Sequence, residues 1–149
     1  MILNISRIDI IKKKIEIDIQ KNIYHVARYE NKKIEIQKYL LKLKQYKKKY
    51  IFLLHKIFFY GTQQYIINLY INFISMLQKF IIQQNIWLDY FKKKLKRRLL
   101  IQRKLCSSLE QWKKLELRFK NRILNKKILT EQREDNMLCL NNYNNLHNK

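Results

Sequence analysis

Hydrophobic side chains recur with helical spacing along most of the chain, most clearly between Thr62 and Phe91. The apolar residues there follow one another at steps of three, four and seven, which places side chains on one face of an α-helix. The polar stripe opposite this face consists of Gln64, Asn68, Asn72, Ser75 and Lys79. We therefore predict an amphipathic helix here.

The same analysis predicts helices nearer the N-terminus. One apolar stripe runs from Ile8 to Tyr29, although residues 15–19 alternate as a strand would. A heptad seam with alternating steps of three and four follows. It consists of Ile36, Tyr39, Leu43, Tyr46, Tyr50, Leu53, Ile57 and Tyr60. The opposite face is rich in lysine.

The pair Gly61–Thr62 is the one point where the chain is expected to reverse. Every seventh residue from Tyr39 to Leu95 is apolar, which favours one continuous coiled coil. The apolar faces before and after Gly61 nevertheless differ in direction by about 160° on a straight helix. A hairpin lets both faces meet one core, with Thr62 as the helix N-cap. The predicted packing or partner interface is Tyr39, Tyr46, Leu53, Tyr60, Ile67, Ile74, Ile81 and Leu88.

These patterns predict an all-α protein with three or four long amphipathic helices, as an antiparallel hairpin or bundle. The predicted helices cover residues 3–30, 33–60, 62–105 and 108–129. Ser107 and Glu110 fit a capping box, which favours a new helix after residue 107. We predict one helical domain over residues 1–135 and an asparagine-rich, disordered tail over 136–149.

Composition narrows the fold class further. The chain contains no proline and one glycine, so no ring bars a residue from a helix and no glycine-rich loop can cradle a phosphate. All-β folds and nucleotide-binding α/β folds are therefore not expected.

The net charge is +22, from 33 Lys and Arg residues against 11 Asp and Glu residues. Such charge repels itself unless an anionic partner is nearby, and RNA, DNA, an acidic protein or an anionic membrane would serve. An AT-rich genome offers a second explanation, because its codons enrich Lys, Ile, Asn, Tyr and Phe without selection for binding.

The run from Lys92 to Lys104 holds the densest positive charge. Its candidate polyanion-binding residues are Lys92, Lys93, Lys94, Lys96, Arg97, Arg98, Arg103 and Lys104. Lysine and arginine neutralise phosphates, and the nearby ring of Trp87 could stack on unpaired bases. Alternatives are a merely solvated face or a calmodulin-target helix from Trp87 to Leu100. An IQ motif at Ile101–Gln102 is rejected because Cys106 replaces a basic residue.

A membrane segment is the main alternative to a polyanion site. Residues 57–78 carry no charge, and this stretch is long enough to cross a bilayer. The wider stretch 57–82 is flanked by lysines. Its asparagines and glutamines share one stripe, which suits a helix bundle or a membrane interface better than a lone span.

Catalysis has no support in the sequence. His25, His55 and His147 lie in unrelated settings, and no Cys or His cluster has metal-ligand spacing. Cys106 and Cys139 suggest a reducing intracellular compartment without disulfides. We expect no cofactor, no metal and no enzymatic activity.

The sequence is thus typical of a non-enzymatic accessory subunit that contacts RNA or another polyanion, and an organellar ribonucleoprotein has all these traits. The alternatives are a small membrane-associated subunit, a self-associating coiled coil, or a drifting reading frame without a settled role.

Overall fold

The computed structural model describes residues 4–147, which form two long α-helices. Helix α1 spans Ile5–Tyr60 and helix α2 spans Gln64–His147. The all-α prediction is confirmed, but the prediction of three or four helices is not, because two of the expected breaks are absent. The helix start predicted at residue 3 and the tail residues 148 and 149 lie outside the described residues.

Each helix begins or ends for a local reason. Asn4 caps α1, because its side-chain Oδ1 accepts a hydrogen bond from the Arg7 backbone N–H at 2.8 Å. The turn begins at Gly61, which has φ of 79°, a conformation that only glycine adopts at little cost. The carbonyl of Gln63 accepts a bond from the Ile67 N–H at 3.4 Å, so the cap position is Gln63 and not the expected Thr62.

The helices do not break at residues 31–32 or 106–107 because neither place contains a helix breaker. Tyr29, Lys33 and Ile36 keep steps of four and three, and all three are partly buried. Leu105, Leu109 and Trp112 also follow one another at steps of four and three across the second expected break, and all three are partly buried. Ser107 and Ser108 therefore lie inside a helix, where a capping box has no free backbone donors to satisfy.

The segment predicted to be a disordered tail is helical as far as His147. Thr130 Oγ1 donates to the Lys126 carbonyl at 2.9 Å, within the same helix. Every residue from 121 to 147 is exposed, so this part of α2 packs against nothing in the described chain. Its helical conformation follows from the absence of proline and glycine.

The chain divides into two compact units. One unit comprises residues 20–103, including the turn, and the other comprises the described residues up to 19 and from 104 onward. We call the first the hairpin unit and the second the terminal unit. In the terminal unit, Ile8 is fully buried.

The hairpin unit has a small core between antiparallel arms. Its buried residues are Leu40 and Leu43 on one arm and Leu77 and Ile81 on the other. Residues 22, 26, 29, 33, 36, 40, 43, 47, 50, 54 and 57 of α1 are all at least partly buried. They form the seam facing α2. The predicted positions Ile36, Leu43, Tyr50 and Ile57 therefore do face α2. The other predicted series lies one residue too early, because positions 40, 47 and 54 face α2 in place of 39, 46 and 53.

The tyrosines of the predicted seam lie beside the true seam. Tyr39, Tyr46 and Tyr60 are 46%, 50% and 81% exposed, and Leu53 is half-buried. On the second arm, Ile67 and Ile81 are buried, and Ile74 and Leu88 are half-buried. The tyrosines thus take little part in packing between the arms, and any role in binding a partner stays a prediction.

Candidate polyanion-binding face

The basic run lies on an uninterrupted part of α2, so its side chains follow ordinary helical spacing. Lys93, Lys96, Arg97 and Arg103 line one open groove on this helix together with Leu99 and Leu100. Lys96 and Arg97 lie three and four residues after Lys93, and Arg103 lies seven residues after Lys96, so these four residues share one outward side of the helix, and we call them the basic strip. At about 1.5 Å per residue the strip is about 15 Å long.

Most of this charge is not neutralised by the protein itself. Lys93 pairs with Asp89 at 3.2 Å, an exposed contact of the kind that contributes little. Within residues 4–147, no ion pair is formed by Lys92, Lys96, Arg97 or Arg103. These four side chains are exposed, so their ammonium and guanidinium groups are available to an external anion.

Lys94 and Arg98 differ from the other basic residues of the run because both are half-buried. The Lys94 ammonium lies 5.5 Å from the centre of the Tyr90 ring, a cation–π contact. Arg98 occupies the seam, and its carbonyl accepts a bond from the Asn22 side-chain nitrogen at 2.9 Å. Lys94 and Arg98 therefore make contacts within the hairpin unit in addition to carrying positive charge on this face.

Lys104 is exposed and belongs to the terminal unit. The remaining seven predicted residues all belong to the hairpin unit.

Aromatic rings accompany the N-terminal end of the basic strip. Trp87 and Phe91 stack at 6.1 Å with an interplanar angle of 26°, and Tyr90 meets both edge-on. Trp87 and Tyr90 are each 47% exposed. A ring that is half-exposed next to cations can stack on a base that the cations have brought close.

Sequence analysis did not find the polar contacts that join the arms. Asn22 is 3% exposed and binds Gln102, and Lys47 binds Gln78. In the terminal unit, Glu116 binds Lys12 and Lys120. Asn22 and Lys47 occupy seam positions of α1, and a polar residue in an otherwise apolar helical stripe is the sequence signal that could have revealed them.

The ion pair in the terminal unit shifts the acidity of its members. Hydrogen bonds from Lys12 and then Lys120 lower the pKa of Glu116 to about 2, against burial, which acts in the opposite direction. The hydrogen bond to Glu116 raises the pKa of Lys12. Both charges are therefore held throughout the neutral pH range, which suits a structural cross-link.

The stretch proposed as a membrane segment is not one continuous helix. The turn at Gly61 divides residues 57–82, so the only uninterrupted apolar part lies in α2. That helix is the one described helix long and apolar enough to cross a membrane, with a mean hydropathy of 1.4 over its best window. Only 17% of that window is buried, so the hairpin core covers only part of its apolar side chains.

In residues 4–147, no group of three or more His, Cys, Asp or Glu side chains is placed to hold a metal ion. Cys106 and Cys139 are both exposed and are not joined in a disulfide in the described part of the chain.

The fold and this face define a class, namely a strongly basic, antiparallel helical hairpin. No family model, curated protein or solved structure matches the chain. Only the residues themselves therefore indicate the function.

Proposed function

We propose that this protein is a non-enzymatic accessory subunit of a larger assembly that binds RNA or a similar polyanion through the basic strip of α2. The observation that carries the proposal is the row of exposed, unpaired cations at Lys92, Lys96, Arg97 and Arg103. On the surface of a soluble protein, positive and negative side chains are normally interspersed, and a row of cations alone is therefore unusual.

The chemistry of binding follows from the types of cation. Each phosphate that a lysine or arginine neutralises releases condensed counterions, which makes the affinity fall steeply with salt. Arg97 and Arg103 add planar donors that can grip two phosphate oxygens at once. Because these contacts reach only the phosphates of the nucleic acid and not its bases, we expect little preference for RNA sequence.

The test compares two triple variants that remove the same charge. The first is Lys96→Gln, Arg97→Gln, Arg103→Gln in the strip. The matched control is Lys38→Gln, Lys42→Gln, Lys49→Gln, which removes three exposed lysines of α1. Binding of single-stranded RNA is measured by fluorescence anisotropy from about 50 to 200 mM salt, where the salt term is large.

The strip variant is expected to lower the slope of log affinity against log salt by about 2, since each lost contact to a single strand contributes about 0.7. The control should change the slope much less. Equal losses in both variants would mean that net charge binds diffusely and that the strip is no site. No binding by the unmodified protein at about 50 mM salt would end the proposal.

A second candidate function has its own observation. The apolar window of α2 is largely exposed. In the sequence it lies between Lys56, which precedes the turn, and Lys92, and lysines of this kind lie at the headgroups in a membrane-associated subunit. Resistance of the membrane-bound protein to carbonate extraction would support this function, and complete release would exclude an embedded helix.

A further inference from the structure

The hairpin unit carries a second seven-residue series on each arm, directly beside the seam. We call these residues the aromatic flank. It consists of Tyr39, Tyr46, Leu53 and Tyr60 on α1 and Ile66, Phe73, Phe80 and Trp87 on α2. Five of the eight are exposed rings, because Phe80 and Trp87 are 40% and 47% exposed in addition to the three tyrosines. None of the eight is charged.

Contacts across the seam place both series on the same side of the hairpin. Tyr50, a seam residue of α1, meets the Phe73 ring edge-on at 4.6 Å and the Tyr70 ring at 6.1 Å. In an antiparallel helix pair the positions next to the seam on one helix lie beside the equivalent positions on the other. The flank is therefore one continuous surface.

The opposite side of the hairpin is different in character. Lys47 reaches Gln78 there, and the groove on that side is lined by Lys44, Lys48 and Leu41 among others. One side of the hairpin unit thus carries the row of aromatic rings, whereas the other side combines lysines with apolar residues such as Leu41 and Ile51.

The width of the apolar surface indicates what covers it. A two-stranded coiled coil needs apolar residues at two of every seven positions, whereas a helix in a four-helix bundle carries three. Between Tyr39 and Trp87 most heptads of each arm have three such positions, with the flank as the third, and the exceptions are the seam residues Lys47 and Gln84. Two helices alone cannot bury that surface, but four can.

We propose that a second copy of this chain packs on the aromatic flank, so that two hairpins form a symmetric four-helix bundle. The area suits this occupant. The exposed flank rings, with the adjacent exposed Leu69, Met76 and Tyr90, offer roughly 100 Å² each, since an aromatic side chain carries about 150–250 Å². The total of about 800 Å² per copy equals the contribution of each partner to a standard stable interface.

Charge explains how such a dimer would respond to salt. Lys42 and Lys49 border the flank, and Lys56 lies over the Phe52 ring at 4.7 Å. In a two-fold dimer these lysines would surround the apolar contact and repel their counterparts. Screening shortens the Debye length from about 10 Å at 0.1 M to about 3 Å at 1 M salt, so self-association strengthens as salt rises.

The proposal does not rest on polyanion binding, and salt separates the two. Polyanion binding weakens with salt, whereas association through the flank strengthens. The experiment is sedimentation equilibrium of the full-length, nuclease-treated protein over a range of concentrations at about 0.1 and 0.5 M salt. The expected species has twice the mass of one chain and is favoured at the higher salt.

Matched variants test the surface itself. Tyr46→Lys with Phe80→Lys places two cations in the flank. The control, Leu41→Lys with Ile82→Lys, places two cations on exposed positions outside it, where Leu41 and Ile82 are 59% and 50% exposed. The flank variant should raise the dimer dissociation constant at least about 30-fold, as for the loss of interface hot spots. The control should change it less than about threefold, and circular dichroism should show both variants equally helical.

Three results would overturn the proposal. One is an unmodified protein that stays monomeric at every concentration and salt. Another is equal weakening by the flank and control variants, which would assign association to charge. The third is a monomer that binds vesicles of anionic and zwitterionic phospholipid and loses that binding only in the flank variant, since a lipid surface and not a second copy would then cover the flank.

Discussion

The Asn22 side-chain nitrogen donates a hydrogen bond of 2.8 Å to Oε1 of Gln102, joining the two arms of the hairpin unit. The same nitrogen donates to the Arg98 carbonyl at 2.9 Å. Asn22 is one of few buried polar residues and stands in a seam whose other buried residues, Leu40 and Leu43, are apolar. A polar pair of this kind works only in one alignment of the helices, so it selects the register.

Asn22→Ala is expected to destabilise the protein by about 1–3 kcal/mol, because it removes the two hydrogen bonds that the buried Asn22 donates to Gln102 and to the Arg98 carbonyl. The double variant Asn22→Leu, Gln102→Leu should lose less stability than Asn22→Ala, since apolar side chains then fill the seam at both positions. Urea denaturation followed by circular dichroism measures both. Asn31→Ala, at an exposed position of α1, is the control, and an equal loss there would remove the argument.

The core of the hairpin unit predicts a large effect at Leu43. Leu43 is 5% exposed and packs with Leu77 and Ile81. Leu43→Ala should cost about 2–5 kcal/mol because it leaves a cavity. The neighbouring Leu41→Ala should cost less than about 0.5 kcal/mol, since Leu41 is 59% exposed. Similar losses in urea unfolding at the two positions would place the seam elsewhere.

The turn depends on Gly61. Its φ is 79° and no atom lies within 4 Å of a Cβ built there, so a substitution meets strain in the backbone but no clash. Gly61→Ala should cost about 1–2 kcal/mol, the penalty of the left-handed conformation. Asn tolerates this region better, so Gly61→Asn should lose less. Identical unfolding midpoints for the three proteins would contradict a left-handed residue at this turn.

The ion pair of the terminal unit predicts a specific pH dependence. The pKa of Glu116 is about 2 against an ordinary value of 4.5, so the unfolded chain takes up this proton first as the pH falls. The stability that Glu116 contributes is therefore complete above pH 4.5 and is lost between pH 4.5 and about 2.

Glu116→Gln should accordingly lower the melting temperature at pH 6, and its difference from the unmodified protein should disappear near pH 2. Taking the difference cancels the other carboxylates, which titrate in both proteins. Glu35→Gln is the control, because its contact with Lys32 is long, at 3.6 Å, and exposed. A difference that stayed constant from pH 6 to 2 would show that Glu116 is not held as a charged partner.

The exposed end of α2, residues 121–147, is expected to contribute nothing to the stability of the protein. All side chains from 121 to 147 are exposed, so this segment lacks the tertiary packing that supplies most of the stability of a helix in a protein. Removing residues 121–149 should therefore leave the unfolding midpoint of the protein unchanged, and amides in this segment should exchange within seconds. Strong protection of these amides in the isolated protein would show that the segment packs against something.

Much of the candidate site could be predicted from the sequence because it is local. Lys96, Arg97 and Arg103 lie in a segment without breakers, and helical spacing alone places them on one side. The involvement of Arg98 in the seam could not be predicted, because its role depends on Asn22, which lies far away along the chain.

The sequence by itself determined the helical class and the place of the turn. Proline is absent and the single glycine is Gly61, so backbone sterics leave one favourable point for reversal. Only the tertiary structure decided which apolar series faces the partner arm. Tyr39 and Leu40 are adjacent and both apolar enough for a core, and periodicity cannot choose between neighbours in a chain so rich in apolar residues. The opposing arm packs Leu77 and Ile81 against Leu40 and Leu43, which buries the leucines and leaves the tyrosines on the flank.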